Sequence, residues 1–206
     1  MRTCKLLLAL LIAAVTLGVC VGGASANRLS FSSVTFRAAF GEPVGEPPPH
    51  IILCSATFEG SFHSATITKV SRALIGHITR AAIKEETCRG GHMRVLRETL
   101  PWHLQYEGFS GILPNITAIA LAAVGVAILA EFASFPGSSC LIRTTAEEPA
   151  HIIFPRNTTT GVLSFRWDET RFIRTTGLCP ESLLGLAGTT SLTVLNSTAA
   201  ITLRLI

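Results

Sequence analysis

The sequence predicts an all-β fold, namely an antiparallel β-sandwich of roughly ten strands stapled by two disulfides. Short segments rich in Val, Ile, Thr and Phe recur at intervals of roughly 8–15 residues, and turns that contain Gly or Pro separate them. No long segment shows a convincing helical period of apolar residues. After a predicted signal peptide is removed, an even number of cysteines remains, as a pair of disulfides requires.

Composition limits the class of protein. The chain has 206 residues, with 17 Lys and Arg against 13 Asp and Glu, and hydrophobic residues make up 48% of it. This length can bury a real core and is typical of one domain, predicted over residues 27–206. No cluster of Lys and Arg of the kind that binds nucleic acid or anionic lipid occurs. We therefore expect no nucleic-acid partner.

Residues 1–26 have the layout of a secretory signal peptide. A short positive start precedes an apolar run, and residues 24–26 supply small side chains before the cleavage point. The run is shorter than the ~20 residues that span a bilayer, so we expect cleavage after Ala26 and no transmembrane span in the mature chain. A lipid anchor at Cys20 is the alternative, although Val19 fits that motif poorly. The predicted location is the extracellular space or the cell envelope.

The mature chain keeps four cysteines: Cys54, Cys88, Cys140 and Cys179. Exported proteins with an even number of cysteines commonly form disulfides. No paired spacing of the C-x2-C kind predicts a zinc site, and no signature accompanies a catalytic thiol. Of the three possible connectivities we expect Cys54–Cys88 and Cys140–Cys179, because each closes a loop within one half of the chain.

Beta-branched and apolar runs mark the predicted strands. They cover residues 29–40, 51–58, 64–70, 74–83, 93–98, 102–109, 116–130, 140–145, 151–154, 160–167, 171–176, 190–195 and 199–206. Residues 41–49 hold four prolines and form a predicted loop, since proline fits neither the interior of a sheet nor that of a helix. Asn196-Ser197 is the expected turn between the last two strands.

Two of the predicted strands have sequence patterns that differ from those of the others. Residues 102–109 alternate large apolar with polar side chains, which predicts one buried and one solvated face. The expected inward residues are Trp102, Leu104 and Tyr106, and the outward ones are His103, Gln105 and Glu107. Residues 116–130 fit either a buried strand or a buried helix. Their β-branched content favours strand, with a bulge or hairpin near Ala122-Ala123.

The acidic residues offer little for catalysis. Asp168 is the sole aspartate, which excludes a calcium loop and an aspartate dyad. Three adjacent acidic pairs are expected on the solvated surface, because neighbours on a strand point to opposite faces. These are Glu85-Glu86, Glu147-Glu148 and Asp168-Glu169. No nucleophile elbow, phosphate loop or dinucleotide fingerprint occurs, and we predict no catalytic or cofactor-binding residue.

The chain has six histidines: His50, His63, His77, His92, His103 and His151. None shows the spacing of a metal-binding motif. His63 and His77 could meet across paired strands, and so could His103, and three such side chains could hold zinc. Nothing local requires this, so ordinary surface histidines, and no metal ligand, are predicted.

The segment from Cys88 to Thr117 resembles secreted proteins of high-GC actinobacteria that have no assigned function. The resemblance is carried by Cys88-Arg89-Gly90-Gly91, Leu96, Glu98, Leu100-Pro101-Trp102, Tyr106, Phe109, Gly111 and Leu113-Pro114-Asn115-Ile116-Thr117, followed by Cys140-Leu141 and Cys179. It implies a bacterial, exported protein and carries over no functional residue.

Two functions agree with these observations. The first is an exported, non-catalytic β-domain with a binding or structural role and an unknown ligand. The second is a secreted hydrolase whose site is assembled from distant His and Glu residues, because such a site leaves no local motif. Convergence of three ionisable side chains in one cleft would favour the enzyme, and scattered histidines would favour the binding domain.

Overall fold

The structure is a computed structural model that describes residues 28–42, 47, 51–134, 136–137, 139–167, 173–176 and 188–206. The predicted signal peptide at 1–26, Cys20, most of the proline-rich loop 41–49, Asp168-Glu169 and Cys179 lie outside the described residues. Predictions about them stay predictions. In the described part of the chain, no helix has the length and apolar character that crossing a bilayer demands.

The described residues form antiparallel strands and one short 3-10 helix at Arg97–Thr99. The strands are β1 Arg28–Phe31, β2 Thr35–Phe40, β3 Leu53–Phe62, β4 Thr66–Thr68, β5 Leu74–Arg89, β6 Gly91–Val95, β7 Trp102–Ile112, β8 Asn115–Val124, β9 Ala127–Phe132, β10 Ser139–Arg143, β11 Ala150–Pro155, β12 Ser164–Trp167, β13 Ile173–Thr176, β14 Gly188–Thr193 and β15 Leu203–Leu205. The all-β prediction is thereby confirmed. The predicted strand 29–40 is divided into β1 and β2.

The main sheet closes on itself, which corrects the predicted β-sandwich. Eight strands form a closed barrel in the order β11-β12-β14-β2-β3-β5-β7-β8. β8 pairs with both β7 and β11, and β2 pairs with both β3 and β14, so neither is an edge strand as it would be in a sandwich. Two smaller sheets accompany the barrel, in the orders β15-β1-β4 and β13-β10-β9-β6.

Aromatic side chains fill the barrel interior. Phe58 is almost completely buried; its ring stacks on Phe165 at 5.9 Å between centroids and lies 5.4 Å from the ring of Trp167 and 6.2 Å from that of Trp102. These residues come from β3, β12 and β7, so the same side chains tie together distant parts of the chain. The barrel is therefore a packed core that holds the outward-facing residues in a fixed arrangement.

The alternation predicted for β7 is confirmed. Trp102 and Leu104 are fully buried, and Tyr106 is buried as well. On the opposite face His103 is exposed, while Gln105 and Glu107 are partly buried. The prediction that polar side chains of this strand face outward therefore holds for all three, and these residues form the centre of the site described below.

The ambiguous segment 116–130 is strand. It is interrupted at Gly125 rather than at the predicted bulge or hairpin near Ala122-Ala123. The chain turns at Gly125, whose φ of 86° favours glycine. β8 belongs to the barrel, whereas β9 belongs to the four-stranded sheet, so the two do not form a hairpin. Buried Thr144 connects the two sides of this turn. Its hydroxyl accepts a hydrogen bond from the Val126 N–H at 3.0 Å and donates one to the Ala123 carbonyl at 3.1 Å.

The predicted Cys54–Cys88 disulfide is confirmed and joins β3 to β5. It is the one complete disulfide among the described residues. Cys140 is fully buried in β10 and is disulfide-bonded rather than a free thiol. Its predicted partner, Cys179, lies outside the described residues, so the Cys140–Cys179 pairing stays a prediction.

Candidate functional site

The outer face of β7 lies between two groups of polar side chains. On one side, the histidine cluster consists of His63, His77 and His103. On the other side, the β7–β11 cleft is lined by charged residues from several elements, among them Glu107 and His151. His103 belongs to the cluster, and Gln105 and Glu107 belong to the cleft, so a single strand carries residues of both.

Strand pairing builds the histidine cluster. His77 in β5 lies opposite His103 in β7, and on its other side it faces Ser61 in β3. His63 follows β3 by one residue, and its backbone N–H donates to the Ile75 carbonyl at 2.8 Å. Because all three come from neighbouring strands, their rings meet on the outside of the barrel.

The rings are in direct contact. Nε2 of His63 and Nδ1 of His77 lie 3.1 Å apart and share a hydrogen bond. The ring centroids of these two residues are 4.7 Å apart, and those of His77 and His103 are 4.9 Å apart. As the side chains stand, no three His, Cys, Asp or Glu side chains among the described residues are grouped so as to hold a metal ion.

The surroundings of the central ring, His77, disfavour its charged form. Burial is the main cause that lowers the pKa of His77 from its ordinary value of 6.5, and the neighbouring His63 and His103 lower it further. Burial acts because it removes water from the charged form, and the neighbours act because a second positive charge beside a first is unfavourable.

This pKa shift predicts a dependence of stability on pH. Below pH 6.5 the unfolded chain binds a proton at His77 more readily than the folded chain does, so stability should fall as the pH falls through this range. We expect the urea midpoint to decrease between about pH 7.5 and about pH 5.5, and His77→Gln to remove part of that decrease.

His92→Gln is the matched control, because His92 is an exposed histidine in β6, away from the cluster. It should leave the pH dependence unchanged. An equal slope in wild-type protein and His77→Gln would show that the cluster does not resist protonation.

The cleft depends on a bulge and a small side chain. The register of β7 against β8 shifts between Tyr106 and Gly108, which leaves Glu107 as an extra, unpaired residue. Ala122 of β8 lies between Gln105 of β7 and His151 of β11. Its methyl group is short enough for the Glu107 carboxylate to cross β8 and reach His151, with Oε2 and Nδ1 2.9 Å apart.

Arg72 closes the cleft from the turn before β5. Its φ of 64° is unusual for a residue with a side chain, and its backbone N–H donates to the Tyr106 carbonyl at 2.6 Å. Nη2 of the guanidinium donates to the carbonyl of Ala146 at 3.0 Å. Arg72 therefore connects β7 to the loop that precedes β11.

Glu147 in that loop completes the set of charges. A hydrogen bond from the Thr145 side chain is the main cause that lowers the pKa of the Glu147 carboxyl, with smaller contributions from its own backbone N–H and from the charge of Arg72. Glu147 is thus ionised at neutral pH. The carboxylates of Glu107 and Glu147 and the guanidinium of Arg72 all border one space.

That space measures about 210 Å³, which is smaller than the roughly 300–1,000 Å³ of sites for drug-sized molecules. The lining residues are Arg72, Gln105, Glu107, Ala122, Ala146, Glu147, Pro149 and His151. None of these side chains is a hydroxyl or a thiol. The cleft can donate and accept hydrogen bonds, and it offers both signs of charge.

The sequence raised one of the two groups only as a possibility, since ordinary surface histidines were predicted. In the structure His77 contacts both His63 and His103, with a hydrogen bond to His63 and a ring contact to His103. Glu85-Glu86 and Glu147-Glu148 are exposed as expected. The role of Glu147 in the cleft was missed, and so was the Glu107–His151 pair.

The chain matches no known protein family, no curated protein and no solved structure. The resemblance to actinobacterial secreted proteins therefore stays a prediction. What the protein does has to be inferred from the residues that the barrel brings together.

Proposed function

We propose that the protein is an exported, non-catalytic binding domain of the cell envelope or the extracellular space, and that its ligand site is the β7–β11 cleft. Arg72, Glu107, Glu147 and His151 converge on one small cavity, which is the arrangement expected above for an enzyme. The observation that most supports binding is that these side chains carry charges of both signs and that no hydroxyl, thiol or amine nucleophile lies among the lining residues. The Cys54–Cys88 disulfide supports the location, because such bonds persist in oxidising compartments outside the cytoplasm.

The charges of the cleft suggest the class of ligand. Arg72 is a partner for a carboxylate, and Glu147 is a partner for an ammonium group. Glu107 is already paired with His151, which leaves Glu147 as the more available acceptor. A small zwitterion such as a free amino acid complements both charges and fits the small volume.

The lining residues argue against catalysis of the serine, cysteine or lysine type. None of the eight lining residues supplies a hydroxyl, thiol or amine nucleophile. The cleft instead presents side chains that already hold one another in place, as a preformed binding site does.

A secreted hydrolase is the second candidate, and the Glu107–His151 contact of 2.9 Å supports it. A carboxylate that binds Nδ1 of a histidine orients the ring and leaves Nε2 free to take a proton from water. In that case water itself would be the nucleophile, and Arg72 would stabilise the negative charge that develops on the substrate.

Titration of labelled protein with free amino acids, followed by ¹H–¹⁵N spectra, tests the binding function. Shifts should concentrate at Gln105, Ala146 and His151. Glu147→Gln should weaken binding about 10- to 100-fold, the effect of losing one hydrogen bond to a charged group. Glu85→Gln is the matched control, an exposed carboxylate at the far end of β5, and should bind as wild type does.

Two results would contradict the binding function. One is the absence of shifts at the cleft with any of the amino acids. The other is turnover of a peptide or ester substrate that His151→Ala abolishes, which would establish the hydrolase instead.

A further inference from the structure

We propose that the histidine cluster is a binding site for one divalent transition-metal ion, such as Zn²⁺ or Ni²⁺, held by ring nitrogens of His63, His77 and His103. The cluster lies outside the β7–β11 cleft, and this inference does not depend on the ligand proposed for the cleft.

The distance between two of the ring nitrogens already suits a shared ion. Nε2 of His63 and Nδ1 of His77 are 3.1 Å apart. Two nitrogens that each lie 2.0–2.1 Å from a tetrahedral zinc are about 3.3 Å apart. An ion can therefore take the place of the hydrogen bond between the rings after the donor ring changes to its other tautomer and a small movement separates the two nitrogens.

The third ring is close enough to complete the site by rotation. The ring centroid of His103 lies 4.9 Å from that of His77, with the planes inclined by 64°. His103 and His63 are exposed, so their side chains can change rotamer without disturbing the core. In the structure the ring of His77 contacts both other rings, and rotation of the two exposed side chains is needed before the three rings can surround a common point.

The backbone beneath the rings is fixed. His77 and His103 are direct partners in the β5–β7 ladder, and His63 is tied to β5 through its bond to Ile75. A scaffold of paired strands holds metal ligands more accurately than a free loop does. Imidazole is a preferred ligand of zinc, nickel and copper, and three histidines with one open position are a known zinc arrangement.

Calorimetric titration with Zn²⁺ and Ni²⁺ tests the proposal on oxidised protein that carries no histidine tag. Wild-type protein should bind one ion. His63→Ala, His77→Ala and His103→Ala should each weaken binding by roughly 10- to 100-fold or more, since even the loss of a partner outside the ligand shell has an effect of that size. His92→Ala is the matched control, because His92 is an exposed histidine outside both the cluster and the cleft, and it should bind as wild type does.

A second measurement identifies the ligands without any substitution. Addition of Zn²⁺ should shift the imidazole ¹⁵N resonances of His63, His77 and His103 together and leave those of His92 and His151 in place. The proposal is overturned if wild-type protein binds no ion, or if His92→Ala loses as much affinity as the cluster variants. Shifts spread over all the exposed histidines would overturn it equally.

Discussion

Replacement of Trp102 by alanine is expected to lower the free energy of unfolding by about 3–5 kcal/mol. The side chain is fully buried, and its ring packs 6.2 Å from that of Phe58 in the barrel interior. Its Nε1 also donates a hydrogen bond to the hydroxyl of Thr99 at 3.0 Å. The substitution would leave a cavity and remove this hydrogen bond, while the Thr99 hydroxyl keeps its bond to the Leu96 carbonyl. Urea unfolding with the Cys54–Cys88 bond intact measures the loss.

His103→Ala is the matched control for this prediction, because His103 is the next residue of β7 and faces outward. In the presence of a chelator it should change stability by no more than about 0.5 kcal/mol. Trp102→Phe should fall between the two variants, since it keeps an aromatic ring but loses the bond to Thr99. A loss below about 1 kcal/mol in Trp102→Ala would place the tryptophan outside the core.

Removal of the Cys54–Cys88 disulfide is expected to destabilise the protein by about 3.5–4 kcal/mol. The bond spans 34 residues of sequence, and opening it gives the unfolded chain the freedom that this loop otherwise loses. The double variant Cys54→Ala/Cys88→Ala is preferable to a reducing agent, because Cys140 is also in a disulfide.

Urea unfolding of that double variant should show a lower midpoint and a steeper dependence on urea, since an unfolded chain without the cross-link exposes more surface. Ser139→Ala, an exposed position next to Cys140, serves as a control for substitution outside this loop. An unchanged midpoint in the double variant would mean that the bond does not restrict the unfolded state.

The strands could be predicted from the sequence because their signals are local. The alternation from Trp102 to Glu107 identifies the buried face of β7 without reference to any other strand. Closure of the sheet has no such signal. A sandwich and a barrel share the same alternation, and they differ in whether strands such as β14 and β2 pair across most of the chain.

The difference between local and non-local signals also explains which contacts of the site could be predicted. His77 and His103 lie on β5 and β7, and His63 directly follows β3. These three strands are neighbours in the barrel, so a meeting across paired strands could be considered from the sequence. The contact of Glu107 with His151 depends on β8 lying between β7 and β11, on a bulge at Glu107 and on the small side chain of Ala122. Each condition is non-local or conformational, and no spacing motif records it.

The strand order also sets the stage of synthesis at which the protein can fold. Pairing of Leu192 in β14 with Ala38 in β2 closes the barrel, and it joins segments near opposite ends of the described chain. Until the ribosome has produced β14, one edge of β2 has no partner and the barrel stays open. Most of the chain must therefore be synthesised before the strands can take their final arrangement, and a chain exported before that stage would close its barrel only after export.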